Sequence, residues 1–466
     1  MKLENGATFG PDETAAPRSR KTATVIGAGF AGLSAAYELG KAGFHVTVLE
    51  AADSVGGLAS SFETEGERLD RFYHHWFTND LEVSDLIAEL GLSDNVVTNP
   101  TNTGLYYANT IFRLSTPMDL LRFSALRFTD RIRLGLLTLR ARRVENWMEL
   151  EQLTAAEWLR RLGGDRVYEV VWEPLLKGKF GPYAEKISAV WFWNKLKLRG
   201  GSRGNKGEER LAYLEGSFAK LAEEIAGAIR GMGGEVRLNC GVDEVRRNGS
   251  RWTCAGSWGS IDSDLVIATP ALPLVAGMIE GWAAPDYLAQ LRRIDYLANI
   301  CLVLQLNRSL SSTYWLNVND PGFPFVGVIE HTNFRPADKY GGRHVVYLSK
   351  YLPHTDALYN MTDEEVVEFS IPHLERMFPE FDRTWVEACN VWRARWSQPV
   401  VERNFTALIP AEDGPLPGFH ICSMAQIYPE DRGTNYAIRE GRKIGRRLAR
   451  AMRDGQQART NEAHDG

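Results

Sequence analysis

Hydrophobic positions follow two periods along this chain, and their order predicts a β-α-β start. Residues 24–26 and 45–49 are short apolar runs, as in buried strands. Residues 31–42 lie between these runs and carry Ala, Leu and Tyr at helical spacing. Strands that are joined through a helix usually pair in parallel, so we expect a parallel sheet with helices on its faces.

Two later stretches return to this α/β pattern. The predicted elements are a helix at 216–231, strands at 235–238, 242–246, 264–268 and 418–423, and a last helix at 435–453. Between these stretches, residues 117–162 have a helical pattern without any strand signal. Alternating segments at 301–306, 325–330 and 344–348 predict an antiparallel sheet. The α/β elements therefore come from separated pieces of the chain, which predicts a discontinuous domain.

Composition and charge narrow the class of protein. The chain has 466 residues, of which 44% are hydrophobic and 24% are charged, as in ordinary globular proteins. Its net charge of −5 provides no basic field for nucleic acid. The five cysteines lack C-x-x-C spacing, which argues against disulfides or a zinc site. The sequence therefore predicts that no metal is bound. No apolar run approaches the roughly 20 residues of a membrane span, and together with the scattered cysteines this predicts a cytoplasmic protein.

A glycine motif follows the first predicted strand. The pattern G-x-G-x-x-G is matched by Gly27, Ala28, Gly29, Phe30, Ala31 and Gly32. The first glycine permits a tight turn, the second lets a pyrophosphate approach the backbone, and the third allows close helix–strand packing. Glu50 ends the second strand, where a carboxylate can accept hydrogen bonds from ribose hydroxyls. Together these features predict a dinucleotide site, in preference to an ordinary glycine-rich turn.

The residues after Glu50 point to a flavin cofactor. They include Ala51, Gly56, Gly57, Leu58 and Ala59. Here the chain resembles the amine oxidase superfamily of flavoproteins, which includes protoporphyrinogen oxidases and phytoene desaturases. In that family the acid and the double glycine lie close to FAD, so the resemblance implies FAD as the cofactor. Many amine oxidases have Arg after the glycines, whereas this chain has Leu58. This difference argues against the amine-oxidising branch of the family.

Two later segments extend the resemblance. Residues 240–245 are similar to the family's T-x-V-x-x-I strand, which implies that the Val242 backbone contacts adenine. Gly433, Thr434 and Asn435 open a helix where the family aims a helix N-terminus at the flavin. An ordinary helix-capping turn is the alternative interpretation.

The family's usual acid at the end of the last strand is absent. Ser423 and Met424 stand in its place, so Met424 takes the cofactor-contacting position that the resemblance implies. Asp431 and Glu430 are the candidates to replace the missing carboxylate at the ribityl chain.

The fold that the resemblance implies is an α/β fold of the amine-oxidase/glutathione-reductase type. We predict a discontinuous Rossmann-like FAD-binding domain, a helical insertion and a substrate domain with an antiparallel sheet. The FAD-binding domain is assigned to residues 22–100, 210–275 and 411–454, the insertion to 101–209 and the substrate domain to 276–410. Residues 1–21 and 455–466 are polar and poor in aromatic residues, which predicts disordered tails.

A histidine pair provides the first candidates for catalysis. Residues 69–79 contain His74 and His75 and are similar to the G-P-H-x-F-H-T-N segment of UDP-galactopyranose mutases, which lies close to the flavin. The resemblance implies an acid/base or flavin-tuning role for His74 and His75. The alternative is that one of the two is a packed, hydrogen-bonded core histidine.

Basic residues provide the other candidates. Residues 172–181 resemble a segment that borders the substrate cavity in protoporphyrinogen-oxidase-like enzymes. The resemblance makes Lys177 or Lys179 a candidate partner of an anionic substrate or of the flavin, and Lys179 is the residue assigned to catalysis. A solvated pair of surface lysines is the alternative. Residues 392–399 resemble a segment close to the flavin, which makes Arg393 or Arg395 a candidate for holding a carboxylate or phosphate, and Arg395 is the residue assigned to catalysis. A third group of candidates is a basic cluster that could bind a phosphate group, with a solvated charged loop as the alternative interpretation. Its members are Lys195, Lys197, Arg199, Arg203, Lys206 and Arg210.

Three functions remain open after these observations. The leading one is an FAD-dependent oxidoreductase, in which a substrate C–H bond gives a hydride to flavin N5 and a side chain takes the proton. The second is a non-redox sugar mutase that resembles UDP-galactopyranose mutase, and the third is a flavin-binding protein without catalysis. The expected partner is a small, anionic molecule such as a phosphorylated or nucleotide-sugar compound. Residues 120–143 are basic and amphipathic, and solvated arginines are favoured there over membrane contact. The oligomeric state stays open.

Overall fold

A parallel sheet of five strands forms the centre of the molecule. The computed structural model describes residues 20–113, 117–199 and 210–462. The strands lie in the order Glu235–Arg237, His45–Leu49, Thr22–Ile26, Leu265–Ala268 and Phe419–Ile421, and all neighbours are parallel. They come from three separated pieces of chain, so the prediction of a discontinuous Rossmann-like domain is confirmed.

Two helices pack closely on one face of this sheet. The first helix, Phe30–Lys41, contacts the C-terminal helix, Thr434–Glu462. A Cβ atom on Gly441 would lie 2.2 Å from the Ala31 carbonyl oxygen, so only glycine allows this approach. Beside it, Arg442 donates a 2.7 Å hydrogen bond to Glu38, and both side chains are buried. The C-terminal helix runs to Glu462, beyond the boundary at residue 454 where a disordered tail was predicted.

A seven-stranded sheet forms the second layer. Its order is Val386–Pro399, Tyr296–Leu306, His344–Leu352, Gly327–Glu330, Trp315–Val318, Thr103–Tyr107 and Thr110–Arg113. The pairs are antiparallel except for the parallel contact of Trp315–Val318 with Thr103–Tyr107. Residues 103–113 therefore belong to this sheet, and the predicted insertion boundary at residue 101 is wrong. Their partner strand is distant in sequence, so local periodicity could not reveal the pairing.

The helical insertion packs against the seven-stranded sheet through its helix Glu173–Phe180. Its helices are Pro117–Arg122, Phe128–Arg142, Ala155–Gly163, Asp165–Val167, Glu173–Phe180 and Ala189–Arg199, with a π-helical turn at Tyr168–Trp172. Buried aromatic side chains such as Trp158, Trp191 and Trp193 fill its core. No helix in the described ranges combines the length and the apolar character that crossing a bilayer requires.

The remaining elements connect these layers. The other helices are Leu81–Glu89, Ser217–Gly231, Leu272–Met278, Pro285–Arg292, Ala357–Asn360 and Asp363–Met377. The other strands are Ser61–Thr64, Glu67–Asp70, Trp76–Phe77, Val96–Pro100, Arg210–Leu214, Glu244–Asn248, Arg251–Gly256 and Gly259–Ser263. Ser217–Gly231 packs on the first helix through its apolar side, as its amphipathic pattern predicts.

Candidate functional site

The glycine motif forms a turn that leaves space beside the backbone. Gly27 has a φ of +98°, which an L-residue with a side chain rarely adopts. A Cβ atom on Gly32 would lie 2.0 Å from the Gly27 carbonyl oxygen, so the third glycine is required for helix–strand packing. A Cβ atom on Gly29 would meet no atom within 4 Å. The second glycine therefore borders open space at the start of the first helix.

Glu50 brings two distant segments next to this turn. Its carboxylate accepts hydrogen bonds from the Ala28 N–H at 2.7 Å and from the Ala52 N–H at 2.9 Å. Its carbonyl accepts from the Cys240 N–H at 2.7 Å, which holds the loop that contains Val242 beside the end of the strand. Val242 lies in this loop, because the predicted strand begins later, at Glu244.

The double glycine lies on the other side of the turn. Gly56 and Gly57 both have positive φ values, of 105° and 58°. The Gly56 N–H donates to the Ala28 carbonyl at 2.9 Å. A Cβ atom on Gly57 would lie 3.3 Å from the Gly29 Cα atom. Two motifs that are separated in sequence thus form one surface of backbone atoms.

A first cavity, of about 140 Å³, extends from this surface to the C-terminal helix. Nine of the residues predicted to bind the cofactor line it: Gly29, Phe30, Ala31, Gly56, Leu58, Ala59, Met424, Gly433 and Thr434. The start of the C-terminal helix therefore faces the same space as the start of the first helix. Two helix N-termini and the backbone of several glycines thus border one space, an arrangement that suits the phosphate groups of a dinucleotide.

Asn435 is not among the residues that line this cavity. Its side-chain oxygen accepts a 3.1 Å hydrogen bond from the Val83 N–H, and the side chain is buried. It therefore fixes the start of the C-terminal helix to the helix Leu81–Glu89, and the cofactor contact of Asn435 stays a prediction.

A second cavity, of about 350 Å³, adjoins the first. Leu58, His74 and Arg432 line both cavities. The walls of the second cavity are mostly aromatic, with polar residues from the seven-stranded sheet: Phe72, Tyr73, Phe77, Trp172, Trp191, Phe192, Trp315, Tyr351, Asn299, Asn317 and Ser349. Its position, next to the first cavity and bordered by the helical insertion and the seven-stranded sheet, is typical of a substrate site.

Both predicted histidines line the second cavity and differ in their contacts. His74 Nδ1 lies 2.5 Å from the Phe72 carbonyl oxygen, and burial lowers the pKa of His74 to about 4. His74 is therefore neutral at pH 7, with the proton on Nδ1 and an accepting lone pair on Nε2. His75 Nδ1 lies 3.0 Å from the Tyr314 hydroxyl, and its ring packs edge-on against Trp315.

Asp70 anchors the segment that carries these histidines. It accepts hydrogen bonds from the Tyr213 hydroxyl at 2.7 Å and from the Phe218 N–H at 3.2 Å. The Tyr347 hydroxyl donates to the Asp70 carbonyl at 2.9 Å. Burial raises the pKa of Asp70 to about 7. Its side chain contacts these groups rather than the cavity, so Asp70 is a positioning residue that the sequence did not indicate.

Four charged residues meet at one wall of the second cavity. Asp431 is buried and lies 2.7 Å from the Lys195 Nζ atom and 3.6 Å from the Lys179 Nζ atom. Burial lowers the pKa of Lys179 to about 7, although Asp431 opposes this shift. Burial alone would raise the pKa of Asp431, but Lys195, Lys179 and Arg432 hold it far below its usual range. Arg432 donates a 2.7 Å hydrogen bond to the Tyr351 hydroxyl.

Arg395 lies outside both cavities. Its side chain is exposed, close to His354 and against the ring of Trp396. The strand Val386–Pro399 shifts its register against Tyr296–Leu306 between Ala394 and Gln398. Because of this bulge, a simple alternation of faces cannot tell which side chains reach the cavity, and the predicted catalytic role of Arg395 is not supported.

Only part of the basic cluster reaches the second cavity. Lys195 lines the cavity, whereas Lys197 packs over the ring of Trp193 and does not. Arg203 and Lys206 lie outside the described residues. Asp431 and Arg432 complete the charged wall. Asp431 was predicted as a candidate at the ribityl chain and Arg432 was not singled out, because their loop approaches Lys179 and Lys195 only in the folded chain.

Comparison with known proteins gives consistent matches over most of the chain. Residues 30–448 match the model of the family described as flavin containing amine oxidoreductase. A 15-cis-phytoene desaturase from Synechococcus elongatus is 25% identical over 384 residues, which are 76% of this chain and 80% of the relative.

Solved structures share the fold. A provisionally assigned protoporphyrinogen oxidase from Exiguobacterium sp. 255-15 superposes with a TM-score of 0.73 and 17% identity, over 92% of this chain and 99% of that one. Cyclohexylamine oxidase from Brevibacterium oxydans superposes with a TM-score of 0.68 and 17% identity, over 93% of this chain and 100% of that one.

Proposed function

The chain belongs to the flavin containing amine oxidoreductase family and is an FAD-dependent oxidoreductase, and on this premise we propose that it oxidises a small molecule by hydride transfer from a C–H bond. The observation that carries the proposal is the contact between the two cavities through Leu58, His74 and Arg432. A substrate in the larger cavity would meet the cofactor at this junction. FAD, when bound, supplies the hydride acceptor.

The residues around the junction have distinct proposed roles. Gly29, Gly56 and the start of the C-terminal helix hold the cofactor. Aromatic walls, including Trp172 and Trp315, exclude water from the substrate. His74 is neutral and presents Nε2 as an acceptor, so we assign it the proton that leaves the substrate. His75 orients the substrate from the Tyr314 side.

Anaerobic mixing tests this proposal directly. The FAD-loaded protein is expected to lose the absorbance of oxidised flavin when it meets its substrate, and readmitted oxygen or another acceptor restores it. Deuterium at the reacting carbon should slow the loss. His74→Phe is expected to reduce flavin at least about tenfold more slowly. His354→Phe serves as the control, because His354 is exposed and lines neither cavity.

The same experiment distinguishes the oxidoreductase from the sugar mutase alternative. A mutase would isomerise its sugar only after prior reduction of the flavin and would leave the redox state of flavin and product unchanged. Turnover of any substrate with no flavin reduction at any stage would contradict the oxidoreductase proposal.

We also propose that the helical insertion touches an anionic membrane surface. The helix Phe128–Arg142 exposes Phe128, Ile132, Leu136 and Leu139, which lie on one face at helical spacing. Exposed arginines surround this face: Arg122, Arg127, Arg133, Arg140, Arg142 and Arg143. An apolar stripe flanked by arginines matches the surface of a bilayer that contains anionic lipid.

Vesicle sedimentation tests this contact. The protein should sediment with vesicles of phosphatidylcholine and phosphatidylglycerol and much less with phosphatidylcholine alone. Phe128→Ser combined with Leu139→Ser is expected to weaken binding at least about tenfold, because it removes apolar area from the contact. Leu416→Ser removes an exposed leucine elsewhere and should change nothing. Equal sedimentation of all three proteins would refute the contact.

A further inference from the structure

The charged wall of the second cavity carries more positive than negative charge. Lys179, Lys195 and Arg432 face a single carboxylate, Asp431. Apart from histidine and tyrosine, these four are the only ionisable residues among the described residues that line the cavity. His74 is neutral at pH 7, so it adds no further positive charge to the wall. The wall thus has a formal excess of positive charge when both lysines are protonated.

An excess of positive charge is energetically unfavourable at a buried site. Only 16% of the Lys179 side chain is exposed, and its Nζ atom lies 4.7 Å from the centre of the Trp191 ring and 5.2 Å from that of Tyr351. Burial disfavours the charged form, which agrees with the lowered pKa of Lys179. Asp431 already pairs with Lys195 at 2.7 Å, so it cannot fully neutralise Lys179 as well. A negative group in the cavity would relieve this imbalance.

The rest of the cavity is suited to an uncharged body. Trp172, Phe192 and Trp315 provide apolar surface, and Asn299 and Ser349 provide neutral hydrogen-bonding groups. A protonated amine would be repelled by the lysines, since like charges at close range are unfavourable. This argues against the amine substrates of some relatives and agrees with Leu58 in place of the arginine that many amine oxidases carry after the double glycine.

We infer that the substrate is an organic anion, with a carboxylate or phosphate bound by Lys179, Lys195 and Arg432 and an apolar body against the aromatic walls. The inference rests on the proposed function for the place of the reaction, at the junction near Leu58 and His74. Asp431 acts as a positioning residue, because it holds both lysines at the wall. Arg432 lines both cavities, so the bound anion lies on the side of the cofactor.

A set of four probes of similar shape tests the inference with the FAD-loaded protein. Phenylacetate and phenyl phosphate carry the two anionic groups, whereas phenylacetamide is neutral and phenethylamine is cationic at pH 7. Binding is measured by calorimetry and by the change in the visible flavin spectrum. At least one anion is expected to bind about tenfold more tightly, or better, than the amide and the amine. The stronger anion identifies carboxylate or phosphate as the preferred group.

Matched lysine variants locate the site. Lys179→Gln and Lys195→Gln should each weaken binding of the preferred anion at least about tenfold, while binding of the amide changes less than about twofold. Lys177→Gln is the control for the first, because Lys177 is exposed on the same helix and pairs with Glu173. Lys197→Gln is the control for the second, since Lys197 contacts Trp193 outside the cavity.

Binding should also depend on pH in a defined direction. Lys179 is protonated below about pH 7 and neutral above it, so anion affinity should fall as the pH rises through this value. Asp431, Lys195 and Arg432 surround Lys179. The neighbouring cations hold the pKa of Asp431 far below this range, and Tyr351 and Asp431 raise the pKa of Arg432, so both keep their charges and a remaining affinity should persist. In Lys179→Gln this pH dependence should disappear, whereas Lys177→Gln should retain it.

The outcomes separate this inference from the proposed function. Equal binding of anions, amide and amine, or unchanged anion binding in both cavity variants, would overturn the anion site. Flavin reduction by a neutral or cationic substrate would overturn it as well and would still support the oxidoreductase. Tight anion binding without flavin reduction by any organic anion would support the site and contradict the proposed reaction.

Discussion

Replacing Gly29 by valine is expected to give a folded protein that binds FAD at least about a hundredfold more weakly, which corresponds to roughly 2.7 kcal/mol of binding free energy. Gly29 has a φ of −73°, which valine can adopt. Its Cβ atom would enter space that holds no protein atom within 4 Å. The valine should therefore change the stability of the folded protein little, and it should occupy the place where the pyrophosphate approaches the backbone.

The measurement combines the FAD content of the purified variant, FAD titration by fluorescence and thermal unfolding without FAD. Gly227→Val is the matched control, because a Cβ atom at Gly227 also meets no atom within 4 Å but Gly227 lies outside both cavities. The control should bind FAD normally. Normal FAD binding by Gly29→Val would show that the cofactor does not cross this turn.

Replacing Asp431 by asparagine is expected to lower the free energy of unfolding by about 3 kcal/mol, because it leaves Lys179 and Lys195 without their carboxylate. Asp431 is buried, with a side-chain exposure of 5%. The pKa of Lys179 should fall further in this variant, since Asp431 is the group that favours its charged form. Denaturant unfolding at pH 7 measures the loss.

The control and the rescue make this test specific. Glu244→Gln breaks the exposed pair with Arg246 and should cost at most about 0.5 kcal/mol. Phenyl phosphate or phenylacetate, whichever binds more tightly, should raise the unfolding midpoint of Asp431→Asn more than that of the parent protein. Stability equal to the parent would show that the pairs at this wall are not coupled through Asp431.

Much of the proposed cofactor site could be predicted from sequence, because its chemistry is local. The glycine turn, Glu50 and the double glycine each need a particular backbone conformation or close approach that few residues allow, so they leave a pattern. Gly27, Gly32 and Gly56 show this in their positive φ values or in the clash that a Cβ atom would make. The segments around Val242 and Gly433 were found only through their resemblance to a family.

The charged wall of the second cavity could be predicted only in part, because it is assembled from distant segments. Lys179 and Lys195 come from two helices of the insertion, and Asp431 and Arg432 come from the loop before the C-terminal helix. No local pattern tells which lysine of a pair faces inward: Lys179 and Lys195 line the cavity, whereas their neighbours two positions away do not. Local pattern also could not place the Arg395 side chain, because a bulge alters the alternation of faces along its strand.

The most direct test of the account is a crystal structure of the FAD-loaded protein with the preferred anionic probe. The account predicts that the pyrophosphate lies beside Gly29, that the flavin lies at the junction of the two cavities near Leu58 and His74, and that the probe's anionic group contacts Lys179 or Lys195. Density for FAD outside the glycine-lined cavity, or a flavin separated from the larger cavity, would contradict it.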